Sequence, residues 1–178
     1  NIYTLTAQTI VYFIFGLLYI AGLFVISGID KEHHEVRLSV ILYMTIVQAI
    51  YIIYLYIIEQ SNVYRYVIYL VILAILILSD TIYFRKKLKN NYILENLILL
   101  NVMLMFTYEA CTILTVEFTL IVIAIKSFIE AIKNRKTKQV KKKQEKIMPI
   151  AFYLCVTNII TLIITNILCF YRWVLWID

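Results

Sequence analysis

The sequence predicts an all-α protein, a polytopic transmembrane helical bundle of about six spans with short loops. Three observations carry that prediction. Of 178 residues, 63% are hydrophobic and only 16% charged, more apolar surface than one water-soluble globule of this size can bury. The apolar residues come in runs close to the roughly 20 residues that cross a ~30 Å hydrocarbon core. Between those runs Lys and Arg gather, as they do on the cytoplasmic flanks of membrane helices. The whole chain, 1–178, therefore reads as a single transmembrane domain with no room for a soluble partner domain.

The first span covers 9–27 and runs into the charged loop Asp30-Lys31-Glu32-His33-His34-Glu35-Val36-Arg37. The second covers 38–58 and closes at Glu59-Gln60-Ser61-Asn62, and the third covers 67–84 and meets Arg85-Lys86-Lys87-Leu88-Lys89. The apolar tract that follows would, as one helix, extend roughly 60 Å, twice the membrane core. Charge decides how it is arranged. The segments 85–89 and 133–146 are both strongly basic and belong on the same, cytoplasmic, side, so an even number of crossings separates them. Two short spans follow, 93–108 and 112–132, joined by a hairpin that leaves Glu109 and Glu117 near the outer interface. The last span covers 147–169 and ends in Tyr171, Arg172, Trp173 and Trp176, an interfacial aromatic belt. Both termini then lie outside, and the loops near 30, 87 and 140 lie inside.

Glycine occurs only at Gly16, Gly22 and Gly28, and proline only at Pro149. Carriers and filters built on broken helices need more breakers than this, so plain helices are expected. Many of the 15 tyrosines sit near span ends, while Tyr51 and Tyr54 fall inside a span and pack between helices. The first apolar run has neither a basic flank before it nor a small-residue cleavage site after it, so no cleavable signal is expected.

The last span carries the clearest polar pattern. Thr157, Thr161 and Thr165 recur every four residues, Cys169 continues the row, and Asn158 and Asn166 lie beside it, which makes one helix face polar. In lipid such a face turns toward other helices and bonds across the contact for roughly 0.6 to 2 kcal/mol per residue; otherwise it lines a solute path. Thr45, Gln48 and Tyr51 form a companion row on the second span that could meet it.

Carboxylates inside a membrane are costly and usually mark function. Asp80 lies close to Arg85 and Lys86, which could pair with it. The same topology puts Asp30 and Asp80 at the cytoplasmic face at the ends of two spans, where paired carboxylates could act as base and acid in aspartyl peptide hydrolysis. Ser27-Gly28-Ile29-Asp30 resembles the first aspartate segment of the prepilin peptidases; the Gly-x-Gly-Asp turn of that family's second segment is missing from Leu78-Ser79-Asp80. Glu109 and Glu117 read as interfacial carboxylates at the hairpin or as a cation vestibule. Lys126 and Glu130, four apart, read as a local ion pair, and His33-His34 as part of a solvated loop.

The segment 133–146 holds eight cationic side chains against one Glu. At about 1 kcal/mol per basic residue near an anionic leaflet, Arg135, Lys136, Lys138, Lys141, Lys142 and Lys143, with Arg85, Lys86, Lys87 and Lys89, point to anionic lipid headgroups or an acidic partner, and away from nucleic acid. Cys111, Cys155 and Cys169 form no CxxC and no cluster with His, so buried structural thiols are expected. No metal site and no cofactor are expected: phosphate-cradling glycine loops, HExxH and paired intramembrane histidines are missing.

The sequence thus favours a non-catalytic integral membrane subunit or sensor-type module, which packs with other subunits or itself and presents a basic loop. A small channel or carrier using Gln48 and the polar face, and a peptidase on Asp30 and Asp80, are the alternatives. A bacterial plasma membrane is the default location, with an organelle membrane the other source of so Ile-, Asn-, Lys- and Tyr-rich a chain.

Overall fold

The computed structural model describes residues 7–58, 63–84, 92–136 and 148–174, with side chains described for 10–58, 63–82, 92–132 and 148–168. These residues form six α-helices: α1 Ala7–His33, α2 Leu38–Ile57, α3 Tyr64–Ser79, α4 Tyr92–Phe106, α5 Glu109–Lys136 and α6 Ile150–Val174. Five are long and apolar enough to cross a membrane, and α4 is a shorter apolar helix. The protein is an all-α membrane bundle.

The forty-residue tract does fold back. α4 ends at Phe106 and α5 begins at Glu109, so Thr107 and Tyr108 alone make the turn. No glycine is needed, because Thr107 closes α4 through its own groups: its N–H and its hydroxyl both donate to the Met103 carbonyl, at 2.8 Å each. Its hydroxyl also meets that of Thr112 at 2.8 Å, which ties the two helices across the bend.

Several helices run past the apolar stretches that identify them. α1 continues through Asp30, Lys31 and Glu32 to His33, and stops where His34 adopts a left-handed φ of 54° with its N–H on the Asp30 carbonyl. α3 starts at Tyr64 and continues into a π-helical turn, Asp80–Phe84. α6 starts at Ile150 because Pro149 has no N–H to donate and a φ suited to opening a helix.

The centre of the bundle is α4. Eight of its 15 residues are buried, Leu94, Asn96, Ile98, Leu99, Asn101, Val102, Met103 and Met105, and it touches α2, α3, α5 and α6. Such a helix is covered by its neighbours over most of its surface, with Ile93 and Leu97 left exposed, so its length of about 22 Å is matched to those neighbours more than to the bilayer. Around it, α6 packs between α1 and α5, α2 packs on α1, and α3 is held chiefly by α4. The core joins Tyr19, Leu23 and Ile26 of α1, Met44 of α2, Leu99 and Val102 of α4, and Leu154 and Cys155 of α6. Lipid tails are as apolar as these side chains, so close packing and hydrogen bonds hold the helices together. The α1–α2 contact is tight enough that a Cβ on Gly22 would lie 2.8 Å from Met44 Cγ.

Candidate functional site

Three polar clusters lie at different heights in the bundle. The first is at the end where α1 finishes and α6 begins. A helix opens with N–H groups that lack partners, and those of α6 are met from two other helices. Phe152 N–H donates to Asp30 Oδ2 at 2.7 Å. Ile150 N–H and Ala151 N–H donate to the Tyr92 hydroxyl, which itself donates to Asp30 Oδ1 at 2.8 Å. Asp30, 0% exposed, is thus a remote cap: a carboxylate held where the helix dipole favours negative charge. Beside it, Glu95 of α4 accepts the Val36 N–H at 3.0 Å, just before α2.

The second cluster lies at the opposite end. Arg65, on the first turn of α3, donates from Nη2 to the carbonyls of Leu104 and Thr107 at 3.1 and 2.6 Å. These belong to the end of α4, where the dipole favours a cation. From Nε it donates to Glu109 Oε1 at 2.6 Å, and the Tyr69 hydroxyl donates to the same oxygen at 2.8 Å. The rings of Tyr66, Tyr69 and Tyr108 surround the guanidinium at 5.4–5.6 Å.

The third cluster fills the space between them. The Tyr19 hydroxyl donates to Asn158 Oδ1 at 2.8 Å, and Asn158 Nδ2 donates to Thr115 Oγ1 at 3.1 Å. The Thr119 and Thr157 hydroxyls meet at 2.6 Å. The polar face of α6 therefore rests on a threonine row of α5, Thr112, Thr115 and Thr119, all buried. The companion row suggested on α2 does not meet it. Thr45 bonds back to Ile41 of its own helix, Tyr51 packs against Tyr12 and Phe15, and Gln48 donates to the Met105 carbonyl at 2.8 Å. The reason is packing order: α1 and α5, not α2, flank α6.

Asp30 and Asp80 are both buried. The two oxygens of Asp30 hold Tyr92 and Phe152, while Asp80 opens the π-helical turn that follows α3. Thr157, Asn158, Thr161 and Gln48 are buried, Thr165 is half-buried and Asn166 is exposed. Glu109 and Glu117 are not brought together: Glu109 meets Arg65, whereas Glu117 lies two turns further along α5 and points out of the bundle. Lys126 does not pair with Glu130. It donates to the Tyr153 hydroxyl across α6 at 2.5 Å, because Lys126 faces α6 and Glu130 is exposed. Cys111 and Cys155 are buried free thiols. Arg85, Lys86, Lys87, Lys89, Lys138, Lys141, Lys142 and Lys143 lie outside the described residues, as do the side chains of Arg135, Lys136 and Cys169. Among the described residues no group of His, Cys, Asp and Glu could hold a metal ion.

Sequence reasoning passed over Arg65, Tyr92, Tyr19 and the α5 threonines. Only the last carried a local signal, a spacing of three and four residues. Comparison of the chain with protein-family models, with curated proteins and with solved structures returns no match.

Proposed function

We propose that the chain is a non-catalytic integral membrane subunit or sensor-type module that packs with partner helices and presents a basic loop at one face. One observation supports this above the others. Two charged side chains that point into the bundle, Asp30 at the start of α6 and Arg65 at the end of α4, are taken up as caps on neighbouring helices, each with the sign its helix end favours. An aspartyl hydrolase needs a carboxylate oxygen open to water, and both oxygens of Asp30 have protein donors. A polar path needs side chains that can exchange partners with a solute, whereas Tyr19, Asn158, Thr115, Thr119 and Thr157 bond one another.

Arg85, Lys86, Lys87 and Lys89 follow α3 and its π-helical turn in sequence, and Arg135, Lys136, Lys138, Lys141, Lys142 and Lys143 lie at and beyond the end of α5. Their role in this reading is attraction to anionic headgroups or to an acidic partner surface.

The test is flux in sealed vesicles. Wild-type protein reconstituted at known orientation is expected to leave K⁺, Na⁺ and H⁺ permeability at the lipid background. Flux above background that Asn158→Leu and Thr161→Leu remove would replace this reading with a carrier. The carrier has one observation in its favour: the buried Gln48 Oε1 and Asn96 Oδ1 have no donor among the described residues.

A further inference from the structure

Charged groups along the bundle meet partners within the chain: Asp30 and Glu95 accept backbone N–H groups, Arg65 and Glu109 pair, and Lys126 reaches Tyr153. Asp80 is buried at the start of the π-helical turn. Glu117 departs from the pattern, as does Glu130 nearer the end of α5. Glu117 is exposed, and no ion pair or hydrogen bond to its carboxylate occurs among the described residues.

Its depth makes this unusual. Glu109 marks one end of the bundle, with Arg65, and Lys126 lies near the other, against the first turn of α6. Glu117 lies about 12 Å along the helix from the first and about 14 Å from the second, counting 1.5 Å per residue. It therefore lies inside the apolar span Glu109–Ile132, deeper than the outer interface at which the sequence places it and nearer the start of that span than its end. The surface around it is apolar and equally exposed: Ile113 at 59%, Leu120 at 62% and Ile121 at 52%. Ala110 and Ala124, both exposed, lie two turns to either side and let another backbone come close. Hydrocarbon does not solvate a carboxylate, and membrane proteins turn such groups toward protein.

We propose that this face of α5 docks a membrane-spanning helix of a different protein, one that carries a lysine or arginine at the depth of Glu117 to pair with it. This rests on the reading of the chain as a membrane subunit and adds the chemistry of the partner. A second copy of the chain fits less well, because its own Glu117 would bring carboxylate against carboxylate and no cation.

The experiment uses the full chain, donor-labelled in phosphatidylcholine vesicles, and acceptor-labelled polyleucine helices with or without one central lysine. Energy transfer to the lysine helix is expected to need about tenfold less peptide than transfer to the all-leucine helix. Glu117→Leu and Glu117→Gln should remove that difference while circular dichroism and melting stay at wild type, since the carboxylate has no hydrogen bond or ion pair among the described residues to lose. Equal transfer to both helices, or a preference that survives Glu117→Leu, would overturn the proposal. So would transfer between two labelled copies of the chain that depends on Glu117. Ion flux in the same vesicles, by contrast, removes the subunit reading and leaves the pairing result to stand by itself.

Discussion

Arg65 and Glu109 meet at 2.6 Å, joining the start of α3 to the start of α5. The pair is half in solvent, with 28% and 49% of the two side chains exposed, so its Coulomb attraction is worth only a few tenths of a kcal/mol up to about 1. The stronger contribution is the guanidinium's grip on the Leu104 and Thr107 carbonyls, bonds to a charged donor of about 1.5–3 kcal/mol each. Arg65→Gln is expected to cost about 2 kcal/mol in denaturant unfolding from detergent micelles. The exchange Arg65→Glu with Glu109→Arg should fail to restore it, because a carboxylate cannot donate to carbonyls. Full recovery by the exchange would mean that the ion pair was the whole effect.

Asp30→Ala leaves the Phe152 N–H and the Tyr92 hydroxyl without their acceptor inside the bundle. The expected loss is about 2–4 kcal/mol, since two charge-assisted bonds go together. Tyr92→Phe should cost less, about 1–2 kcal/mol. The double variant should fall short of the sum by at least ~0.5 kcal/mol, as residues in one network do. Additive losses in the same unfolding assay would show that the two act separately.

Asn158→Leu removes the links to Tyr19 and Thr115 in the middle of the bundle. Hydrogen bonds between membrane helices average about 0.6 kcal/mol and reach ~1.7, so a loss of about 1–3 kcal/mol is expected, with Tyr19→Phe losing about half as much. An unchanged melting temperature would imply that these groups find other partners.

Gly22→Leu should be poorly tolerated. Even a Cβ there would meet Met44 Cγ at 2.8 Å and Sδ at 2.9 Å, and overpacking of this kind costs about 1–3 kcal/mol. Met44→Ala in the Gly22→Leu background is expected to recover most of it, read as a restored yield of monodisperse protein. Gly22→Ala should cost less than Gly22→Leu, since the Met44 side chain must turn aside for one methyl rather than for a whole leucine.

His34→Gly is expected to stabilise the chain by up to about 1 kcal/mol, because φ of 54° suits glycine better than histidine. His34→Val should destabilise it, and equal melting temperatures for the two would refute the argument.

How much of this was legible in the sequence depended on how local each signal was. The apolar runs gave the helices, and the basic segments at 85–89 and 133–146 forced the tract between them to turn back, which it does at Thr107 and Tyr108. The threonine row of α6 stood out because one helix face repeats every four residues. Its partner row on α5 was harder to see, since there Thr112, Thr115 and Thr119 are interleaved with Glu117, which drew notice as a charge. Arg65 stands alone among tyrosines, and its partners lie 39 to 44 residues away. Asp30 could be paired with Asp80 as one alternative because both fall at span ends on one face, while the donors that occupy Asp30 come from α4 and α6. Pairings across such distances leave no trace in spacing.

The clasp between Asp30 and Phe152 spans 122 residues of chain. A membrane protein made from its N-terminus inserts the first helix long before the sixth exists. Until α6 arrives, the carboxylate at the foot of α1 has no amide of that helix to receive it, and α1 lacks its principal neighbour. α6 is thus the helix that closes the described bundle, and a nascent chain halted ahead of Pro149 would leave Asp30 without the amide it holds.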